Sequence, residues 1–252
     1  MTSVLLTLQR LVPSAAGLAI GFPVFAFLCW AYNPTFLYNL SPSAGTVKPS
    51  TMAAICFCGL SLWLQADEAA MTRARRRMAQ GFAGLAGLLA AVTMLEYLLS
   101  LDLGVDFWLA SVPDLAVDSH PGRMAPATAF ALFMLGLALI QLDSKHSGQD
   151  QASHYLALAG GTIGAIALVG YLYGVQTLYK VGTSNTISIF SAALLLALGL
   201  GILSARPTRG FMATLTSDEL GAVMLRRVLP FAIALPILAG WIRIAAQRSG
   251  RY

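Results

Sequence analysis

Charge is what this sequence has least of. Only 11% of its 252 residues are Asp, Glu, Lys or Arg, against 57% that are hydrophobic. A soluble domain carries about 25% charged residues, so this chain lacks the means to cover a globule of its size. The same figures exclude disorder, because far too much apolar surface would be left in water. Histidine is scarce too. His120, His146 and His154 are the three, and none is central to an apolar run, which leaves a haem between helices without axial ligands. Cys29, Cys56 and Cys58 all sit in apolar runs. Cys56 and Cys58 are two apart, and on a helix they point roughly opposite ways, against a disulfide framework or a metal site. No glycine loop with a following lysine is present to cradle phosphate. The sequence therefore offers no catalytic residue, no metal ligand set and no cofactor that can be named, and we expect no enzyme within these residues. The formal net charge of +5 reports cytoplasmic loops in a membrane chain, not nucleic acid.

What is abundant is long apolar sequence. A spanning helix needs about 20 mostly apolar residues, and seven candidates run over 11–32, 50–66, 79–100, 124–142, 153–175, 184–204 and 225–246. Gln65 and Asp67 bound the second. The first follows Arg10 and offers no small-residue cleavage site at Cys29-Trp30-Ala31-Tyr32, so it reads as a retained anchor helix. Arg10, Arg73, Arg75, Arg76, Arg77, Lys145, Arg206, Arg209, Arg226 and Arg227 fall on one side. Lys48, Arg123, Lys180, Arg243, Arg248 and Arg251 fall on the other. The side richer in Lys and Arg is cytoplasmic by rule, which places the N-terminus inside. Seven spans then put Tyr252 outside, and an eighth span beyond residue 252 is expected.

The chain repeats itself. Thr51-Met52 is followed eight residues later by Gly59-Leu60, Thr128-Ala129 by Gly136-Leu137, and Ser191-Ala192 by Gly199-Leu200. A later helix of each unit carries an aromatic: Tyr97, Tyr171, Trp241. Small residues two turns apart let helix backbones approach closely in lipid. The expected architecture is all-α: a polytopic bundle forming one domain over 1–252, with a leading helix over 1–32 and helix-pair repeats over 50–100, 124–175 and 184–246. Residues 103–112, with Phe107 and Trp108, suit a short helix at the outer interface. Thr216-Ser217-Asp218-Glu219 reads as a capping box starting a helix that runs through Arg226 and Arg227. Pro23, Pro230 and Pro236 interrupt spans.

Polar residues collect near the outer boundary. Glu96, Arg123 and Arg243 lie there, with Tyr97, Tyr171, Asn185 and Trp241 at similar depth. Ionisable residues at membrane depth usually face the bundle and find a partner. One reading is an outer-leaflet, ligand-binding pocket made by Glu96, Tyr97, Arg123, Tyr171, Asn185, Trp241 and Arg243, holding a lipophilic molecule such as a quinone or lipid. The other is a structural ion pair and an ordinary aromatic belt. Asp102, Asp106, Asp114 and Asp118 make the outer loop acidic without matching a calcium loop. The four arginines from Arg73 to Arg77 suit topology and lipid head groups.

Several stretches carry a resemblance: Leu95-Glu96-Tyr97-Leu98 with Asp102-Leu103-Gly104-Val105-Asp106, Pro121 to Ala129, Gly170-Tyr171-Leu172-Tyr173-Gly174, Arg206-Pro207-Thr208-Arg209-Gly210, Thr216-Ser217-Asp218 and Gly240-Trp241-Ile242-Arg243. Together they resemble the multi-span N-terminal membrane sensor region found ahead of histidine-kinase and diguanylate-cyclase modules in bacterial signalling proteins. The likeness covers most of residues 85–252 and is weak before that. It implies signal transduction of the two-component kind at the bacterial cytoplasmic (inner) membrane. The partners implied are a cytoplasmic kinase or cyclase output module, a second copy of the chain and membrane lipids. Its motifs identify a sensor type without naming a ligand. An accessory or scaffold subunit of a membrane complex and a small-solute transporter are the competing readings; transport predicts polar residues near mid-span, whereas here they gather at the outer end.

Overall fold

A computed structural model describes residues 2–33, 36, 47–104, 122–143, 149–180, 185–217 and 219–248. Its described residues form helices: α1 (Thr2–Tyr32), α2 (Pro49–Gln65), α3 (Arg73–Leu99), α4 (Pro126–Gln141), α5 (Gln149–Tyr173), α6 (Ile189–Ala205), α7 (Gly210–Thr216) and α8 (Leu220–Arg248). The only extended pairing among them is a single bridge between Lys180 and Thr186. Each apolar run expected from the sequence is helical. Four helices are long and apolar enough to cross a membrane: Arg10–Tyr32, Arg73–Leu99, Gln151–Tyr173 and Leu220–Ile244. A fifth is reached if α6 and α7, bent by 76°, count as one. At a rise of about 1.5 Å per residue, α2 and α4 are only about 25 Å long, short of the roughly 30 Å hydrocarbon layer.

The two length classes alternate and pack accordingly. Short α2, α4 and α6 meet one another at the centre, and the long helices lie between them. α1 packs on α2 and α6, α3 on α2 and α4, and α5 on α4 and α5's successor α6, closing a ring. Met52, Ile55, Leu62, Leu132, Leu135, Leu139, Leu195, Leu198 and Ile202 fill the centre and are fully buried. The long helices contribute narrow stripes of alanine, such as Ala79, Ala83, Ala86 and Ala90 of α3. Their leucines, Leu85, Leu88, Leu95 and Leu98 among them, point outward. Such an inverted distribution suits lipid, where leucine gains nothing by burial and small residues allow close packing.

The three spaced glycines do what small residues do at a helix crossing. A Cβ on Gly59 would lie 2.9 Å from the Ala19 side chain of α1. On Gly136 it would lie 3.1 Å from Ala83 O of α3, and on Gly199 2.8 Å from Gly161 Cα of α5. Each short helix is thus pressed against the long helix before it.

Two expectations come out differently. Segment 184–246 holds three helices rather than a pair, because the chain bends after Ala205. α8 then lies against α5 and α7, and α1 takes the place beside α6. Thr216 does not cap α8. It ends α7, and its hydroxyl donates to Pro207 O (2.8 Å) or Met212 O (2.9 Å). The interfacial helix expected over 103–112 falls mostly outside the described residues, and Leu103 and Gly104 are not helical. The prolines do not divide their spans: Pro23 lies inside a continuous α1, and Pro230 and Pro236 inside a continuous α8.

The close crossings set a measurable cost. Gly199→Ala should destabilise the chain by about 1–3 kcal/mol through overpacking against backbone. Gly84→Ala, where a Cβ meets nothing within 4 Å, should be neutral or slightly stabilising through helix propensity. Thermal unfolding in detergent of the two variants reads the difference; equal midpoints would contradict the α5–α6 crossing.

Candidate functional site

The central helices begin at one end of the bundle, and their first turns are tied together there. Ser50 Oγ donates to Gly122 O (3.4 Å), joining the start of α2 to the approach of α4. Asn185 Nδ2 donates to Arg123 O (2.6 Å), joining the approach of α6 to the same place. Pro49 and Pro126 open α2 and α4, where a missing N–H costs nothing. Ser188 caps α6 by accepting from Ser191 N–H at 3.1 Å. The residue types here follow from helix starts that lie inside protein, where every backbone group needs a partner.

Arg123 is the charged centre of this end. It is buried, as is Glu96, and its Nε lies 3.5 Å from Glu96 Oε2. Its second arm donates to Asp102 Oδ1 at 3.3 Å, on a side chain 72% exposed. Its guanidinium sits 5.5 Å from the Tyr97 ring centroid, a cation–π distance. Glu96 Oε1 accepts from Leu103 N–H at 3.0 Å, so one carboxylate serves both the arginine and the chain leaving α3. Ser100 ends α3 in the left-handed region at φ 52°, which turns the chain back and brings Asp102 to Arg123.

Four of the seven residues singled out in the sequence therefore meet: Glu96, Tyr97, Arg123 and Asn185. Tyr171 occupies a matching place one unit on. Tyr97 OH donates to Met124 O (3.1 Å) and Tyr171 OH to Ile187 O (2.6 Å). Met124 and Ile187 each stand one residue before the N-cap of the following short helix. Tyr171 also stacks on Tyr179, ring centroids 4.1 Å apart. Trp241 and Arg243 do not join them. Both are exposed on α8, Trp241 by 46%. They lie on the helix that stands outside the ring, so the threefold arrangement of Tyr97, Tyr171 and Trp241 around one space does not form. A groove of about 620 Å³ lies at this end between α3 and α4, lined by Ala91, Met94, Leu95, Tyr97, Leu98, Pro126 and Phe133; a separate one of about 690 Å³ lies along α8, with Arg243 in its lining. Tyr171 and Trp241 line neither.

The opposite end holds a site that sequence reasoning passed over. Arg206 counts in the sequence as one more basic loop residue, yet its side chain is 1% exposed. Its Nε and Nη2 donate to Asp143 Oδ1 and Oδ2, both at 2.9 Å. Its Nη1 donates to Gln65 O (3.1 Å) and Ala205 O (2.8 Å). Gln65 and Ala205 are the last residues of α2 and α6, and Asp143 follows α4 by two residues. One guanidinium thus joins the C-terminal ends of all three central helices, where the helix dipole favours a cation. Arg209 and Glu68 form an ion pair beside it. A usable signal was present: Gln65, Asp143 and Arg206 are polar residues ending three very apolar helices.

Among the described residues no cluster of His, Cys, Asp or Glu has the makings of a metal site. The three cysteines are free. What both ends offer is charge-assisted hydrogen bonding around a buried arginine with an exposed carboxylate beside it, which fixes helix positions.

The Glu96–Arg123 pair is open to a double-mutant cycle. Arg123→Gln should cost about 3 kcal/mol, because it removes the cation beside the buried Glu96 carboxylate; Glu96→Gln should cost less, because Arg123 keeps Asp102. The double change should cost less than their sum by about 0.5–3 kcal/mol. Urea or thermal unfolding in detergent measures both quantities, and strictly additive losses would remove the direct contact.

No family model, curated protein or solved structure matches this chain, so the functional reading rests on the residues and their geometry.

Proposed function

We propose that the chain is a membrane-embedded sensory input domain of a bacterial signalling protein, seated in the cytoplasmic membrane with its N-terminus inside. In this reading all of α1 to α6 and α8 cross, seven spans in all. Short α2, α4 and α6 cross in the shelter of the long helices, and three units of one long and one short helix build the ring. The observation that carries the proposal is the position of α8. It is apolar enough to span, little of it is buried, and it meets the ring chiefly through α5, with α7 as its other neighbour. A helix that crosses beside a closed ring, held at few points, is able to shift against it. A ligand moves such an equilibrium by its differential affinity for the two positions.

The α3–α4 groove is the ligand site in this reading. Its lining is apolar, with Tyr97 as its polar member, the usual form of a site for a small lipophilic molecule. A quinone or a lipid has the matching shape: a tail for the groove and a polar head for Tyr97. Transport fits less well, because large apolar side chains fill the central axis and no polar path lines it among the described residues. A scaffold subunit remains the second reading, favoured by the exposed apolar face of α8. A kinase or cyclase module is the output partner, and a second copy of the chain can dock along α8.

Two measurements test this. A photoreactive long-tail benzoquinone in vesicles should label α3 or α4 saturably, and unlabelled quinone should compete. Ala91→Phe, which fills the groove, should abolish the labelling while leaving the unfolding midpoint within a few degrees. Labelling that never saturates, or that survives Ala91→Phe, removes the ligand site and leaves the scaffold reading. For topology, a reporter fused after Arg77 should read cytoplasmic and one after Tyr252 external; a cytoplasmic signal at Tyr252 would exclude seven spans.

A further inference from the structure

The polar contacts at the C-terminal ends of the central helices continue into the arm that leaves the ring. Arg206, joined to Gln65, Ala205 and Asp143, is followed at once by the 76° bend between α6 and α7. Pro207 O in that bend accepts from the Thr216 hydroxyl at 2.8 Å, so the far end of α7 is fastened back to the residue after Arg206. Thr216 is itself buried. From there Ser217 O accepts from Arg226 Nη2 at 3.1 Å, which ties the first turns of α8 to the same corner. At its other end α8 rests on α5. Tyr173 OH donates to Ile237 O at 2.9 Å, and a Cβ on Gly240 would come within 2.5 Å of that hydroxyl. Between these two attachments α8 carries exposed Val228, Phe231, Leu235 and Leu238.

We propose that Arg206 is a mechanical joint. Its bidentate pair with Asp143 locks the packing of the three central helices to the orientation of α7, and through α7 sets where α8 rests on α5. The physical reason is the shared donor. A single planar guanidinium serves groups from α2, α4 and α6 at once, so no central helix can slide along its axis without breaking a hydrogen bond of a buried charge. Such a charge cannot be left unpaired at low cost, and interfaces of this kind have discrete arrangements rather than a continuum. Lysine cannot substitute, since its ammonium lacks the forked geometry. The joint requires no ligand, so it stands or falls apart from the sensory reading.

Spin labels at Leu172→Cys and Leu238→Cys, both exposed positions, report the α5–α8 distance in the full chain reconstituted in nanodiscs, with Cys29, Cys56 and Cys58 replaced by alanine. The parent should show one narrow distance. Asp143→Asn keeps the shape of the side chain and weakens the lock, and it should add a second, longer distance. Arg206→Lys should do the same, and Tyr173→Phe should lengthen the distance by releasing the far attachment. Glu96→Gln destabilises the opposite end of the bundle, on a long helix that does not pack on α8, and should leave the distribution single. The proposal is overturned if folded Asp143→Asn and Arg206→Lys keep the parent distribution. It is equally overturned if Glu96→Gln broadens it as much as they do, since loosening would then be general.

Discussion

Three short helices that end inside the protein set the terms for everything else. A helix leaves its last four carbonyls without intrahelical partners, and where those carbonyls are buried, protein groups must donate to them. The solution is visible in α4. Ala138 O accepts from Ser153 Oγ of α5, Leu139 O from Gln65 Nε2 of α2, and Ile140 O from Gln80 Nε2 of α3. Three neighbours each satisfy one carbonyl of the same turn. Arg206 does this for α2 and α6 together. The helix ends therefore cannot be satisfied one at a time, and the ring forms as a unit.

The same constraint explains the other end. There the orphan groups are N–H donors, and the chain meets them by having fewer: Pro49 and Pro126 contribute no N–H, and Ser188 accepts one. The carbonyls of the approach segments are taken by side chains that reach across, from Tyr97, Tyr171, Asn185 and Ser50. Tyr97 and Tyr171 play one role twice. Their rings are not an aromatic belt alone, since each hydroxyl is committed to a carbonyl just before a helix start. Arg123 then finds itself among groups already fixed in place, and its carboxylate partners complete the set.

A ring locked at both ends has little freedom left in it, and that gives α8 its interest. It is attached at a corner and at one tyrosine, with a long apolar face otherwise uncovered by protein. Membrane lipid or a partner's helix is the natural neighbour of such a face. The α3–α4 groove is the complementary feature on the ring. Its lining is apolar and includes Tyr97 of the polar cluster. Function in this fold is therefore best sought at the edges of the ring rather than along its axis.

The sequence by itself determined the helices, because runs of apolar residues bounded by Gln65, Asp67 and the arginine clusters leave few other outcomes in lipid. It also determined the close crossings, since Gly59, Gly136 and Gly199 each stand eight residues after a Thr or Ser, at matching places in three apolar helices. The Glu96–Arg123 pair was legible for the same kind of reason: two ionisable groups at one depth on consecutive helices have few other partners. Tertiary structure alone decided which helices are central. Length in sequence does not say that α1 rather than α8 closes the ring; the bend after Ala205 does. It also decided the role of Arg206. Read along the chain, an arginine after an apolar helix is a loop charge. Only the convergence of three helix ends, far apart in sequence, turns it into the buried donor that all of them share.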